Sequence, residues 1–168
     1  MAPNKHLSRF DFEDCPDDFE LPSGDLKRGR KMFKKYCQQC HSIYPDNRTT
    51  ETGQFPLGPT LFNIYGRASG QAEIQQKGHD SRVSDILWTE GPLMNYMKNP
   101  REIAQGNIQM NFRGITDFQV RVDIVHYLKT LDWTNEKILN PPERPSSLAP
   151  LRWYQMYQKS RSDGPKDS

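Results

Sequence analysis

The sequence predicts an all-α fold, a few helices joined by long loops, on three observations. Apolar residues recur at helical spacing in three stretches, residues 26–36, 88–98 and 116–131, rather than alternating as a half-buried strand would. Long polar segments rich in turn formers separate these stretches. The apolar inventory is thin: 34% of 168 residues are hydrophobic, 13 are proline and the mean hydropathy is −0.90. Either part of the chain lies outside the core or a non-protein group supplies apolar volume. No run of ~18 apolar residues is present, so no transmembrane helix is expected.

Residues 1–23 form an acidic N-terminal extension, with Lys5 and Arg9 set against Asp11, Glu13, Asp14, Asp17, Asp18 and Glu20, net −4. Pro16 and Pro22 break any regular element there. The main expectation is a solvated, largely irregular arm; the alternative is that Phe10, Phe12, Phe19 and Leu21 pack onto the domain or a partner. The segment has neither the apolar core of a secretory signal nor the arginines of a mitochondrial presequence. Cys15 is left single, so no disulfide framework follows.

From Gly24 the pattern becomes helical. Asp25 is a candidate N-cap for a helix over residues 26–36. Leu26, Gly29, Phe33 and Tyr36 share one face, and lysines and arginines fill the other. A glycine inside a helix costs roughly 1 kcal/mol relative to alanine, which is acceptable where a second helix crosses closely. Residues 42–57 read as a long loop. A second helix begins near Trp88, carries Leu93, Tyr96 and Met97 on one face, and stops at Asn99-Pro100, because the residue before proline is biased away from helix. Residues 101–115 read as irregular. The last regular element, residues 116–131, places Phe118, Val122, Val125 and Leu128 at helical spacing. Val120, Val122 and Ile124 also alternate, so part of it could be strand, but its length favours helix. Residues 134–168 form a Pro-rich C-terminal extension of linker composition, with a short amphipathic stretch at residues 151–157.

The chemistry-bearing motif follows the first helix directly: Cys37-Gln38-Gln39-Cys40-His41. Two cysteines three apart followed by histidine is the signature of covalent haem attachment. Residues three apart share a helical face, so both sulfurs can reach one porphyrin edge while the histidine binds iron. A zinc half-site, a thioredoxin-like pair and chance coincidence are the competing readings. Zinc would want a second pair of ligands; a thioredoxin-like pair would want a preceding strand.

Beyond that motif, residues 24–132 carry ordered blocks: Gly29 and Phe33; Gly58-Pro59, Leu61 and Gly66-Arg67; Trp88; Leu93, Tyr96 and Asn99-Pro100; Met110, Phe112 and Gly114-Ile115; Ile124 and Tyr127-Leu128. In this series the chain resembles a class I cytochrome c of the mitochondrial type. The resemblance implies a cytochrome c fold at residues 24–133, wrapped around one haem c joined by thioethers to Cys37 and Cys40. His41 and Met110 would be its axial ligands, the methionine sulfur favouring ferrous iron. The carbonyl of Pro59 would accept the other N–H of His41, and Tyr96 would hydrogen-bond near the Met110 sulfur. Arg67 and the Trp88 indole would hold the propionates. Gly29 and Phe33 would cross the last helix at Tyr127 and Leu128.

The implied function is electron transfer, not enzymatic catalysis, between the cytochrome bc1 complex and cytochrome c oxidase in the mitochondrial intermembrane space. The chain would be peripheral to the membrane, with no nucleic-acid partner. Departures from the family pattern include a longer loop between His41 and Gly58, one extra residue between Gly106 and Met110, and Lys77 near the place of a tyrosine. Tyr36, Glu102, Gln109, Thr116 and Asp117 stand where docking lysines are usual, while Arg101 and Arg113 retain charge. Residues 24–133 carry a net +4, so steering onto acidic partners would be weak. This favours, as an alternative, a resident subunit held in a respiratory complex by its terminal extensions.

Overall fold

The computed structural model describes residues 8–48, 57–69, 86–103 and 112–140. Its helices are α1 (Leu26–Tyr36), α2 (Glu90–Lys98), the single turn α3 (Pro100–Ile103), α4 (Phe118–Leu128) and the single turn α5 (Glu136–Leu139). No strand occurs among the described residues; an isolated bridge joins Ala68 and Leu87. Helices α1 and α2 both pack on α4.

Local chemistry sets each boundary. Asp25 caps α1 by accepting from the Arg28 amide at 2.9 Å, satisfying one of the N–H groups that a first turn leaves unpaired. Asp117 does the same for α4 through the Val120 amide, at 3.2 Å. Glu90 and Lys98 lie at the N- and C-terminal ends of α2, each where the helix dipole favours its charge. The chain does not become irregular after Asn99, as the sequence had suggested. Pro100 opens α3, because a first helical residue needs no N–H, and the Asn99 side chain accepts from the Glu102 amide at 3.3 Å. Likewise Leu131 does not end the regular structure: α5 follows and buries Ile138.

The core is built where α1 crosses α4. Phe33 is fully buried, and its ring centroid lies 5.1 Å from that of Tyr127. Gly29 faces the backbone of α4, where any Cβ would overlap the carbonyl oxygen of Asp123. Leu26, placed by spacing on the same face, is instead 50% exposed. The residues of α4 that might have formed a strand are helical, and its buried face is wide: Arg121, Val122, Asp123, Ile124, Val125 and Leu128. Asp123 pays for its burial with partners, accepting from the Asp25 amide (2.8 Å), from Gln119 Nε2 (3.2 Å) and from the Arg28 guanidinium, with which it forms an ion pair. Beside α2, Glu90 accepts from the Tyr65 hydroxyl (2.9 Å) and from Lys129 (2.8 Å).

Among the described residues the acidic arm keeps Glu13, Asp14, Asp17, Asp18 and Glu20 exposed, but its apolar side chains pack onto the domain, as the alternative reading had it. Phe10 and Phe19 pack with Phe118 of α4, with centroids 5.4–6.1 Å apart, and Cys15 is buried. Apolar side chains carried by the arm find a surface to cover, and that burial is worth about 25 cal/mol per Å². Phe12 alone among the arm's aromatics stays exposed.

Two outcomes follow from the α1–α4 contact. Gly29→Ala should lower the unfolding free energy by about 1–3 kcal/mol in denaturant titrations, because backbone must move to admit the methyl group. Burial pushes the Asp123 carboxyl up, but the Arg28, Asp25 and Gln119 hydrogen bonds outweigh it and hold the group below the usual carboxylate range. Its stabilisation is therefore complete above the unfolded value of about 3.9 and is lost as pH falls through the lower folded value. Asp123→Asn should flatten that acid limb in a pH series of unfolding midpoints.

Candidate haem-binding site

The Cys37–His41 segment begins at the C-cap of α1. The Cys37 amide donates to Phe33 O at 2.8 Å, and both the Cys40 and His41 amides donate to Cys37 O at 3.0 Å. One further turn is thereby made, which sets the two cysteines close together. Both thiols are half-buried and unbridged. Burial, with the neighbouring Cys40, pushes the Cys37 thiol up to about 12. A dithiol oxidoreductase needs the opposite, a thiol made acidic by its surroundings. Nor do the described residues contain three His, Cys, Asp or Glu side chains placed to hold a metal ion, so the zinc reading finds no second pair there.

His41 is held in one orientation. Its Nδ1 lies 2.7 Å from the carbonyl oxygen of Pro59; a carbonyl only accepts, so Nδ1 carries the proton and the lone pair falls on Nε2. That is the tautomer a metal-binding imidazole requires. The loop supplying the carbonyl is zipped to the segment after the motif. Gly58 N donates to Cys40 O (2.9 Å), Leu61 N to Ser42 O (2.9 Å), and the buried Thr60 hydroxyl lies 2.7 Å from Tyr44 O and 3.2 Å from Ser42 O. Gly58 lies directly against the imidazole, where a Cβ would overlap ring atom Cε1.

Arg67 donates to the carbonyls of Phe62 (2.9 Å) and Thr60 (3.0 Å), bracing the same loop. Trp88 is joined to it through the backbone: Trp88 N donates to Arg67 O at 2.9 Å, and Gly66 N to Trp88 O at 2.8 Å, with Gly66 in the left-handed region at φ +81°. The Trp88 ring meets Tyr96 edge to face at 5.1 Å. Tyr96 projects from α2 on the side of Leu93 and Met97, and burial pushes its hydroxyl up. The segment entering α4 is fixed to α2 by Ile115 N to Met97 O at 2.7 Å, with Gly114 at φ +99°. Phe112 packs on Tyr36 at 6.3 Å. Met110, Gln109, the extra residue before Met110 and Lys77 lie outside the described residues.

The structure thus joins His41 to Pro59, Arg67 to Trp88 and Trp88 to Tyr96, and it sets Cys37 and Cys40 on the turn that carries His41. Sequence reasoning gave no role to two participants. Gly58 stood only as part of the Gly58-Pro59 block, and its need to be glycine comes from a ring 17 positions away in sequence. Thr60 was assigned nothing, yet it is fully buried and bonded to two carbonyls. Its position just after Gly-Pro, opposite the histidine loop, was the available signal. The donor set fits a covalently held haem: two unbridged thiols, and an imidazole whose Nε2 is the unprotonated nitrogen. Gly58→Ala should displace the His41 ring and cut the yield of haem-bearing protein several-fold, as measured by absorbance per polypeptide; the methyl group has no room unless the imidazole shifts.

The family model for cytochrome c matches residues 26–132. The chain is similar to cytochrome c of Theileria parva, 35% identical over 112 residues that span 67% of this chain and 90% of the relative. It is also similar to cytochrome c of Chlamydomonas reinhardtii, 36% identical over 66% of this chain and 92% of the relative. A third is cytochrome c of Euglena viridis, 33% identical over 64% and 98%. All three relatives are eukaryotic. Proteins of this family bind haem c covalently and act as electron carriers rather than enzymes. With an all-α fold and a Cys-x-x-Cys-His turn braced by the Pro59 loop, the chain belongs to the cytochrome c family.

Proposed function

We propose that this chain carries single electrons between the cytochrome bc1 complex and cytochrome c oxidase in the mitochondrial intermembrane space. In this reading Cys37 and Cys40 hold the haem and His41 and Met110 ligate its iron. The observation that carries it is the 2.7 Å contact from His41 Nδ1 to Pro59 O, which orients the imidazole and strengthens Nε2 as a donor. The haem supplies a reversible one-electron couple when bound. The protein's own contribution would be to supply His41 and Met110 as ligands and to keep the surroundings rigid, so that little rearranges as charge changes. Tyr96, whose hydroxyl burial pushes up, would hydrogen-bond near the Met110 sulfur. Arg67 and Trp88, already coupled through the backbone, would hold the propionates, which are costly to bury without partners.

The domain assignment in this proposal keeps residues 24–133 as the haem-bearing unit, flanked by extensions at 1–23 and 134–168. Among the described residues no helix is long and apolar enough to cross a membrane, in keeping with a peripheral carrier. The alternative of a resident subunit draws support from the fate of two positions where docking lysines are usual. Neither side chain carries positive charge: Asp117 caps α4, and Tyr36 packs on Phe112. Retention in a respiratory complex through a high-salt wash would favour the resident form; release at moderate salt would favour the mobile one.

Ligation is tested optically. The oxidised protein at neutral pH should show the weak near-red methionine-to-iron charge-transfer band, and the reduced protein should not bind carbon monoxide. Met110→Ala should lose the band and admit carbon monoxide while the haem stays attached under acid-acetone extraction. Loss of pigment from the unsubstituted protein on that extraction would overturn the covalent assignment.

A further inference from the structure

The N-terminal arm makes specific contacts with two helices along its whole described length, and helix residues are shaped to receive it. Asp11 divides its carboxylate, one oxygen accepting from Ser8 N at 2.9 Å and the other from Phe118 N at 2.6 Å. It therefore caps the first turn of α4 from a distant part of the chain. The fully buried guanidinium of Arg121 donates to Phe10 O in the arm, to Met94 O in α2 at 2.9 Å and to Thr116 O before α4 at 3.5 Å. Asn95 grips one arm residue at two points: its Oδ1 accepts from Cys15 N at 2.7 Å and its Nδ2 donates to Cys15 O at 2.9 Å. Lys98 donates to Phe12 O at 3.2 Å and pairs with Asp14. At Gly91 a Cβ would come within 2.6 Å of Pro16 O. Gly91, Asn95 and Lys98 are spaced four and three apart, one face of α2, and the arm covers that face. Farther along, Pro22 O lies 2.8 Å from His126 Nε2.

We propose that residues 8–24 are an intramolecular strap that holds α2 against α4, and that lifting this strap is what loosens the α2 wall of the site. The strap peels from its residue-8 end, because its other end runs into the capped start of α1. When it lifts, α2 loses the Asn95 and Lys98 bonds. Arg121 then keeps its α2 and Thr116 carbonyls but loses that of Phe10. The wall that loosens carries Tyr96, so strap release couples a surface event to the interior without any residue of the strap touching the site. None of the measurements below involves Met110, so the strap and the ligand assignment can fail separately.

The protein carries its own reporter. With Cys37 and Cys40 bound in thioethers, Cys15 is the one remaining thiol; it belongs to the strap itself and is 3% exposed while the strap is seated. The experiment measures maleimide labelling of full-length holoprotein, assigned to Cys15 by peptide mapping, alongside hydrogen exchange of the amides of residues 93–98. Gly91→Ala and Asn95→Ala are the variants. Both replace a residue by a better helix former, so helix propensity alone would slow exchange in α2. If the strap holds α2, both variants should label about tenfold faster or more, and α2 exchange should quicken by a similar factor while α1 changes less. Asp11→Asn, which leaves α2 untouched, should shift both readouts in the same direction by a smaller factor. The proposal is overturned if the variants label faster while α2 exchange stays level or slows, since the arm would then be a passenger. It is overturned equally if Cys15 of the unsubstituted protein labels as fast as in the denatured chain.

Discussion

Where α1 crosses α4, backbone meets backbone: Gly29 offers no side chain, and the Asp123 carbonyl occupies the space it leaves. Around this contact Phe33 packs on Tyr127, and the buried Asp123 carboxylate ties the α1 cap to Arg28. The crossing fixes the direction in which α1 ends, and α1 ends in the turn bearing Cys37, Cys40 and His41. A small change in the crossing would swing that turn away from the loop that supplies the Pro59 carbonyl. The orientation of the imidazole is thus inherited from a helix contact that it does not touch.

The site is braced by a chain of modest bonds rather than by one strong one. Thr60 and Leu61 tie their loop to the segment after the motif, Arg67 gathers the carbonyls of Thr60 and Phe62, and Trp88 passes the connection to Tyr96 and α2. Each bond contributes about 1 kcal/mol net, but together they leave few ways for the loop to rearrange. For a carrier that must accept and release charge without moving, that rigidity is the useful property.

The helices were legible in the sequence because their signals are local. Asp25 before an apolar repeat marks α1, and Asn99-Pro100 marks the end of α2. The Cys-x-x-Cys-His motif and the ordered blocks after it were sufficient to point to the family. What escaped was set by distant contacts. The arm's acidic composition favoured a solvated tail over the alternative of packed aromatics, because composition cannot show that Phe10, Phe19 and Cys15 find Phe118, Arg121 and Asn95 to pack and bond with. α3 escaped because a proline that ends one helix also begins the next, and Leu26 escaped because spacing assigns a face without telling how much of it a neighbour covers.

The two-point hold of Asn95 on Cys15 imitates the exchange of bonds between paired strands, and like a strand pairing it sets a register. Between that hold and the cap at Asp25 the chain runs from one fixed anchor to another, with Pro22 pinned on the way. An added or missing residue inside this interval would bring the wrong amide to Asn95 or bulge the backbone off Gly91. Length variation in relatives that share this arm should therefore avoid the interval between Cys15 and Asp25.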